Sequence, residues 1–312
     1  MTAQIDAAQV EHLLQHVADS FGRPMRSPLT HFPHEAGLAH QDVTFPSRDG
    51  VPLEGWFIPA DNPVEDRVVI CNHPFWFSRA GLPAHLEPWR STWSLTGNDF
   101  DVDFVPDYKL LHDAGYHVLA YDLRNSGLSG AANGGVFTGG VLESRDVLGS
   151  LDHVRSRTDL RDPKIALFSR CAGANATFRA MSTHPEDFAG VRCLVAPQPM
   201  SARVTLERTL RGAGLPQERV AELEHRIRMR TSLTLDGMSP IPWAGATTVP
   251  TLLYQVRDDV LTDPADVQAV HDAIPVEKDL FWIEGTTRRF DGYTHFQRDP
   301  ARVLAWLDAH LS

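Results

Sequence analysis

Six short runs of almost unbroken apolar character, at 67–71 (RVVIC), 116–121, 164–168, 191–196, 250–256 and 279–284, alternate along the chain with helical patterns at about 105–114, 142–157, 173–184, 264–273 and 299–311. Strands that lose the in/out alternation are covered on both faces, which is the condition of strands inside parallel sheets. Alternation with helices then implies right-handed crossovers and helices on both sides of the sheet. Ahead of these runs, residues 42–48 and 51–58 alternate apolar and polar about Asp49-Gly50, the signature of a hairpin. The expected architecture is therefore an α/β fold built on a mostly parallel eight-stranded sheet with an antiparallel opening.

Two segments are longer than a crossover requires. Residues 76–104 intervene between the third strand and its helix, and residues 199–248 between the sixth and seventh strands. Long ordered insertions at strand ends are commonly lids or binding loops. In the second, Leu206, Leu210, Leu215, Val220, Leu223, Ile227 and Met229 recur at roughly helical intervals, so a small helical cap is expected. At the other end of the chain Ile5, Val10, Leu13, Leu14, Val17 and Phe21 form an amphipathic helix, whose apolar stripe is expected to cover the core or to meet a second copy in a homodimer. The chain thus divides into an N-terminal helix and loop (1–40), a first core segment (41–198), the cap (199–248) and a second core segment (249–312).

With 29 Lys+Arg against 40 Asp+Glu the net charge is −11, and no Lys/Arg-rich tail is present, so the electrostatic footprint of a nucleic-acid binder is absent. The three cysteines, Cys71, Cys171 and Cys193, have neither a CxxC nor a zinc-type spacing, which suits a reducing compartment without a disulfide framework. No basic start precedes an apolar block and no run of apolar residues is long enough to span a bilayer, so a cytoplasmic protein with no membrane partner is expected. His31 and His34 with Glu35, and Asp99, Asp101 and Asp103, are better read as solvated clusters than as metal ligands, because the remaining elements of a metal loop are missing. Neither a metal nor a cofactor is expected.

The chemistry concentrates at Ser169-Arg170-Cys171-Ala172-Gly173, which ends the fifth strand and opens a helix at once. A strand, sharp turn and helix make a nucleophile elbow, in which the residues two before and two after the nucleophile must be small. Ser169 and Gly173 satisfy that requirement, with serine in place of the usual first glycine and cysteine as the nucleophile. Beyond a later strand comes Arg257-Asp258-Asp259, and beyond the last strand a loop holds His295.

The order nucleophile, acid, histidine after successive strands resembles the α/β-hydrolase superfamily over about residues 42–311, and the cysteine in the elbow is similar to that of dienelactone hydrolase-like enzymes and cysteine-dependent polyester synthases. The resemblance implies acyl chemistry, hydrolysis or transfer from an ester, lactone or thioester, through a Cys171 acyl-enzyme. His295 would be the base and Asp259, in preference to Asp258, the orienting acid. Ala172 and Phe75 would supply the oxyanion N–H groups. Counted from the final helix, however, Tyr293 falls where the superfamily's histidine usually lies, and without its histidine the thiol would lack a base. A helix N-terminus after Cys171 favours thiolate. His73, Trp76, Arg170 and Tyr293 are expected to line the substrate site, and the aromatic crowding of Phe75, Trp76, Phe77, Trp89 and Trp93 suits an apolar or aromatic acyl group. The cap arginines, among them Arg203, Arg208 and Arg226, are interleaved with acids and read as a solvated mixed-charge face. A silent or non-hydrolytic member of the same fold, an isomerase, cyclase or small-molecule binder, is the alternative.

Overall fold

The computed structural model describes residues 7–312 except 62, 64 and 65; Ile5 of the N-terminal stripe lies outside the described residues. In chain order the elements are α1 (Ala7–Gly22), β1 (Gln41–Pro46), β2 (Pro52–Ile58), β3 (Arg67–Asn72), β4 (Gly81–Pro83), α2 (Trp89–Trp93), β5 (Asp101–Asp103), α3 (Val105–Asp113), β6 (His117–Tyr121), α4 (Ser144–Ser156), β7 (Lys164–Ser169), α5 (Ala172–Thr183) and β8 (Val191–Pro197). There follow α6 (Ala202–Gly212), α7 (Arg219–Thr231), α8 (Ile241–Ala244), β9 (Thr251–Val256), α9 (Pro264–Ala273), β10 (Lys278–Ile283), α10 (Arg289–Tyr293), α11 (His295–Arg298) and α12 (Ala301–Leu311).

Eight strands form one sheet in the order β1-β2-β6-β3-β7-β8-β9-β10. The β1–β2 hairpin and the β2–β6 pair are antiparallel, with Phe45 opposite Leu53 and Phe57 opposite Leu119, and the remaining pairs are parallel. The unbroken apolar runs have the expected cause. In β3, Val69 and Cys71 pack with Phe168, Tyr254 and the helices α3 and α12 on one face, whereas Val68 and Ile70 pack with Leu167, Leu253 and the helices α4, α5 and α9 on the other. Each side of the pleat has its own apolar layer, so through the middle of β3 the alternation of polar and apolar residues is lost.

The N-terminal helix does not cover the sheet. Leu14, Ala18 and Phe21 of α1 join Leu206, Leu210, Val220, Leu223 and Ile227 in a third apolar cluster, which makes α1 a part of the cap. Arg226 meets Glu11 at 2.8 Å and Arg230 meets Asp19 at 2.7 Å along the same contact. Such exposed pairs contribute little each, so the apolar stripe holds α1 down. The insertion at 76–104 contains the antiparallel β4–β5 ribbon and α2 rather than an open loop. Among the described residues no helix is long and apolar enough to cross a membrane.

The ring of His153 in α4 stacks on Phe45 at 4.5 Å, and burial pushes its pKa down to about 4. The unfolded chain therefore takes up this proton first as pH falls. Stability is complete above the ordinary histidine value of 6.5 and is lost progressively as pH drops toward 4. Urea unfolding at several pH values is expected to show that decline, and His153→Phe, which keeps the stack, is expected to flatten it.

Candidate active site

Cys171 sits between β7 and α5 with φ 51° and ψ −111°, a conformation that L-residues adopt only when the surrounding structure enforces it. The enforcement is visible on both sides. The Cys171 N–H donates to the Pro197 carbonyl at 2.9 Å, and the Arg170 N–H donates to Asn72 O at 2.9 Å. A Cβ on Gly173 would lie 2.7 Å from both the Asn72 carbonyl oxygen and Cβ, so only glycine fits there. Ser169 fits in place of the usual glycine because its hydroxyl is absorbed by a relay: Asn72 Nδ2 donates to Ser169 Oγ at 2.8 Å, Ser169 Oγ to Thr177 Oγ1 at 2.9 Å, and Thr177 Oγ1 to the Gly173 carbonyl at 2.9 Å.

Ala172 opens α5, so its N–H has no helical acceptor, and Phe75 stands in the turn closed by Phe77 N donating to Pro74 O at 3.3 Å. Among the described residues neither the Ala172 nor the Phe75 N–H is given to an acceptor. The loop that carries Phe75 is fixed by His73, whose Nε2 accepts from Leu123 N at 2.9 Å and whose Nδ1 donates to Pro74 O at 2.7 Å. Burial lowers the His73 pKa, so the ring is neutral. With both nitrogens committed, His73 ties two loops together and is not available to a substrate as expected from the sequence.

Asp259 is buried behind the elbow while Asp258 is exposed. One carboxylate oxygen accepts from Leu261 N at 2.9 Å; the other accepts from Thr262 Oγ1 at 2.8 Å, Gln255 Nε2 at 3.2 Å and Arg289 Nη1 at 2.6 Å. Its charged partner is thus a guanidinium, not an imidazole. Arg289 spreads its donors over three groups: Asp259, the Gln198 carbonyl at 2.5 Å, and the Tyr293 hydroxyl at 2.8 Å. Although burial disfavours a buried cation, Tyr293, Cys171 and Asp259 together hold Arg289 firmly charged. Burial likewise keeps the Tyr293 phenol protonated, its ionisation being opposed by the neighbouring Cys171 and favoured by Arg289. Cys171, Tyr293, Arg289 and Asp259 therefore form one connected group.

His295 is not in it. Its ring packs against Tyr254 at 5.6 Å and Phe281 at 5.5 Å and lines a surface depression of about 750 Å³ with Asp258, Arg288 and Asp299. Its pKa is lowered by burial, with Asp299 and Arg298 as its charged neighbours. The expectation of His295 as base is corrected for a geometric reason. After β10 the chain forms two short helices, α10 ending at Tyr293 and α11 beginning at His295, with Thr294 between them at φ −97° and ψ 3°, and across this break the two side chains face different surroundings. Tyr293 faces the elbow and His295 faces away.

Arg170 is also corrected. It is 1% exposed, bonded to Asp107 and sandwiched between the rings of Phe104 at 4.5 Å and Phe168 at 4.0 Å, so it belongs to the core beneath the elbow. Of the aromatic residues at and after the Phe75 loop, Phe77 and Trp89 are buried, whereas Phe75 and Trp76 are half-buried. Phe75 stacks on Phe137 at 3.7 Å, with Phe21 of α1 6.1 Å from Phe75. Among the described residues no group of three or more His, Cys, Asp or Glu could hold a metal ion. His31 instead bonds Asp101 at 2.9 Å, with His85 at 3.5 Å from the same carboxylate.

No sequence pattern singles out Arg289 or Gln198. An arginine in Thr-Arg-Arg-Phe looks like any solvated arginine, and only its i,i+4 spacing to Tyr293 hints at a shared helix face. Gln198, at φ 56° after β8, clasps α10: its side-chain amide donates to the Arg289 carbonyl and accepts from Val256 N at 3.3 Å.

No family model matches the chain, and no curated relative matches it. Solved structures do. The esterase Pf2001 of Pyrococcus furiosus superposes with a TM-score of 0.67 at 22% identity, over 94% of this chain and 98% of that one. The α/β hydrolase GrgF from Penicillium sp. sh18 gives 0.60 at 17% identity, over 88% and 99%. Dipeptidyl peptidase 4 of Porphyromonas gingivalis gives 0.57 at 13% identity, over 88% of this chain and 36% of that one. Together with the strand order and the elbow, these likenesses establish that the chain has the α/β-hydrolase fold.

Proposed function

We propose that this protein forms an acyl-enzyme at Cys171 from thioester donors and passes the acyl group to an acceptor that reacts without help from a general base. The observation that carries this reading is the replacement of an imidazole beside the strained Cys171 by Arg289 and Tyr293. Arg289, anchored by Asp259, offers a counter-charge to a thiolate, and Tyr293 offers it a hydrogen bond. Neither group can accept a proton at neutral pH.

That asymmetry selects the substrate. In thioester exchange the Cys171 thiolate adds to the carbonyl, the bond from carbonyl carbon to donor sulfur breaks, and the donor leaves as a thiolate that takes a proton from solvent. The exchange balances without a general base when Cys171 enters as the thiolate, its proton having passed to solvent. The N–H groups of Ala172 and Phe75, which are given to no acceptor among the described residues, would receive the oxyanion formed on the way. Deprotonating water for hydrolysis does need a base, so the acyl-enzyme should wait for an amine, a thiolate or a carbanion.

A second reading, a binder or isomerase that never forms an adduct, is favoured by the 4% exposure of Cys171. Intact-mass measurement separates the two. The wild type and His295→Gln are expected to gain one acyl group from short acyl thioesters and Cys171→Ala none, with oxygen esters of equal acyl group reacting far more slowly. No adduct with any donor would favour the second reading.

A further inference from the structure

The two ends of the sheet are built differently. At one end β1 runs Gln-Asp-Val-Thr-Phe-Pro, with four of its six residues exposed and a proline last. A polar edge that ends in proline is protected against pairing with another chain. At the other end β10 runs Lys-Asp-Leu-Phe-Trp-Ile, and all six residues are half-buried. Leu280, Phe281, Trp282 and Ile283 make an unbroken apolar run on an edge strand, without a charge or a proline. An edge of that kind is a template for a further strand.

The hydrogen bonds of β10 show which backbone groups are on offer. Thr251 N donates to Glu277 O at 2.9 Å and Arg257 N to Ile283 O at 3.0 Å, so the parallel ladder with β9 uses the odd-numbered residues from 277 to 283. Lys278, Leu280 and Trp282 therefore turn their N–H and C=O groups away from the sheet. The Leu280 N–H donates to the adjacent Asp279 Oδ1 at 2.8 Å, while Asp279 Oδ2 accepts from Arg302 at 2.6 Å. Half-buried apolar side chains flank the strand on both faces. Leu304 and Trp306 of α12 lie with Phe281 and Ile283 on one face, and Ala273 and Val276 with Leu280 on the other.

We propose that β10 pairs antiparallel with β10 of a second copy of this chain across a two-fold axis, joining two eight-stranded sheets into one. Such a contact requires a surface complementary to itself. Lys278 and Glu284 stand three residues to either side of Phe281, so antiparallel pairing centred on Phe281 sets each lysine opposite the glutamate of the other copy. The same register sets Leu280 opposite Trp282, and because both turn their backbone groups outward, each such pair exchanges two hydrogen bonds. Phe281 then meets Phe281 of the second copy in a non-hydrogen-bonded pair, where opposed side chains approach most closely. The Leu280 N–H exchanges the Asp279 carboxylate for a carbonyl of the second copy, and Asp279 keeps Arg302. A ribbon of two strands is small against the roughly 1,200 Å² that stable association buries, and the apolar flanks of α9 and α12 widen the contact. The charge symmetry about Phe281 selects this chain reversed on itself over an unrelated strand. The stripe of α1, already taken by the cap, is not free for that role. Pairing at β10 is independent of the chemistry at Cys171.

Sedimentation equilibrium of the full chain over a concentration series is expected to show a dimer. Trp282→Pro removes an outward N–H without touching the ladder to β9 and is expected to give a folded monomer, whereas Trp282→Thr keeps that N–H and weakens the dimer less. Lys278→Glu sets like charges opposite each other at two places and is expected to raise the dissociation constant about tenfold, more at low salt than at high. Adding Glu284→Lys is expected to restore the dimer. Phe281→Cys reads the register directly, because residues opposed in a non-hydrogen-bonded pair lie about 4.5 Å apart, within disulfide reach. The three native cysteines are buried, so mild oxidation is expected to cross-link Phe281→Cys and to leave Asp279→Cys unlinked. The charge pair and the cross-link report on the contact in chains that keep every β10 N–H. A monomer at every concentration, a dimer that survives both Trp282→Pro and Lys278→Glu, or equal cross-linking at 279 and 281 overturns the proposal.

Discussion

Arg289→Met is expected to destabilise the protein by about 3–5 kcal/mol, because it leaves Asp259 buried without its cation. Both side chains are at most 3% exposed, so water cannot replace the lost partner without opening the site. The same change removes the counter-charge from Cys171 and the hydrogen bond that orients Tyr293, and acylation is expected to fall by about 10²–10³-fold, the usual consequence of deleting a preorganised electrostatic group. Stability and chemistry are separated by adding Asp259→Asn. The double variant no longer buries an unpaired carboxylate and is expected to recover most of the stability while remaining slow. Arg289→Lys keeps the charge but cannot reach Asp259, Gln198 and Tyr293 at once, so partial recovery of rate is expected. Urea unfolding and rapid-quench mass measurement supply the two readouts. A double variant that regains both stability and rate would make Arg289 a structural residue alone.

Cys171→Gly and Cys171→Ala are both expected to abolish the adduct, yet to differ in stability in the direction opposite to the usual ranking. At φ 51° and ψ −111° a side chain carries backbone strain of order 1–3 kcal/mol, which alanine retains and glycine relieves. Cys171→Gly is therefore expected to be more stable than Cys171→Ala by about 1 kcal/mol, although glycine ordinarily costs conformational entropy. Chemical denaturation of the two variants checks this. Such an inversion is the mark of a site where strain is kept for function, since nothing in the packing requires a nucleophile at that turn.

The sheet was legible because its signal is collective. Each of the eight strands is a run whose burial on one or both faces dictates apolar residues, and a misjudged residue at one end does not change the pattern. The elbow was legible for a steric reason: Gly173 has backbone against it and Ser169 is enclosed, so small residues are compulsory there. What completes the elbow was not legible. Whether residue 293 or 295 faces Cys171 depends on two short helices, α10 and α11, whose phase is set by Gln198 reaching across from β8. Nor does a local pattern distinguish Arg289, buried among Asp259, Gln198 and Tyr293, from the adjacent and exposed Arg288. The apolar stripe of α1 was plain in the sequence, but the partner it covers, the cap, is distant in the chain.

Cys171 is expected to carry an acyl group without a histidine base. The most direct measurement mixes the wild type with a short acyl thioester, quenches at intervals from milliseconds to minutes, and follows intact mass alongside release of the donor thiol and of the free acid. A burst of thiol equal to one adduct per chain is expected, with an adduct that survives long after the burst in water and disappears at once on adding an amine or a second thiol, and with no inflection in the acylation rate from a titrating imidazole. Steady release of acid without a burst, or turnover that follows a histidine titration and vanishes in His295→Gln, would contradict it.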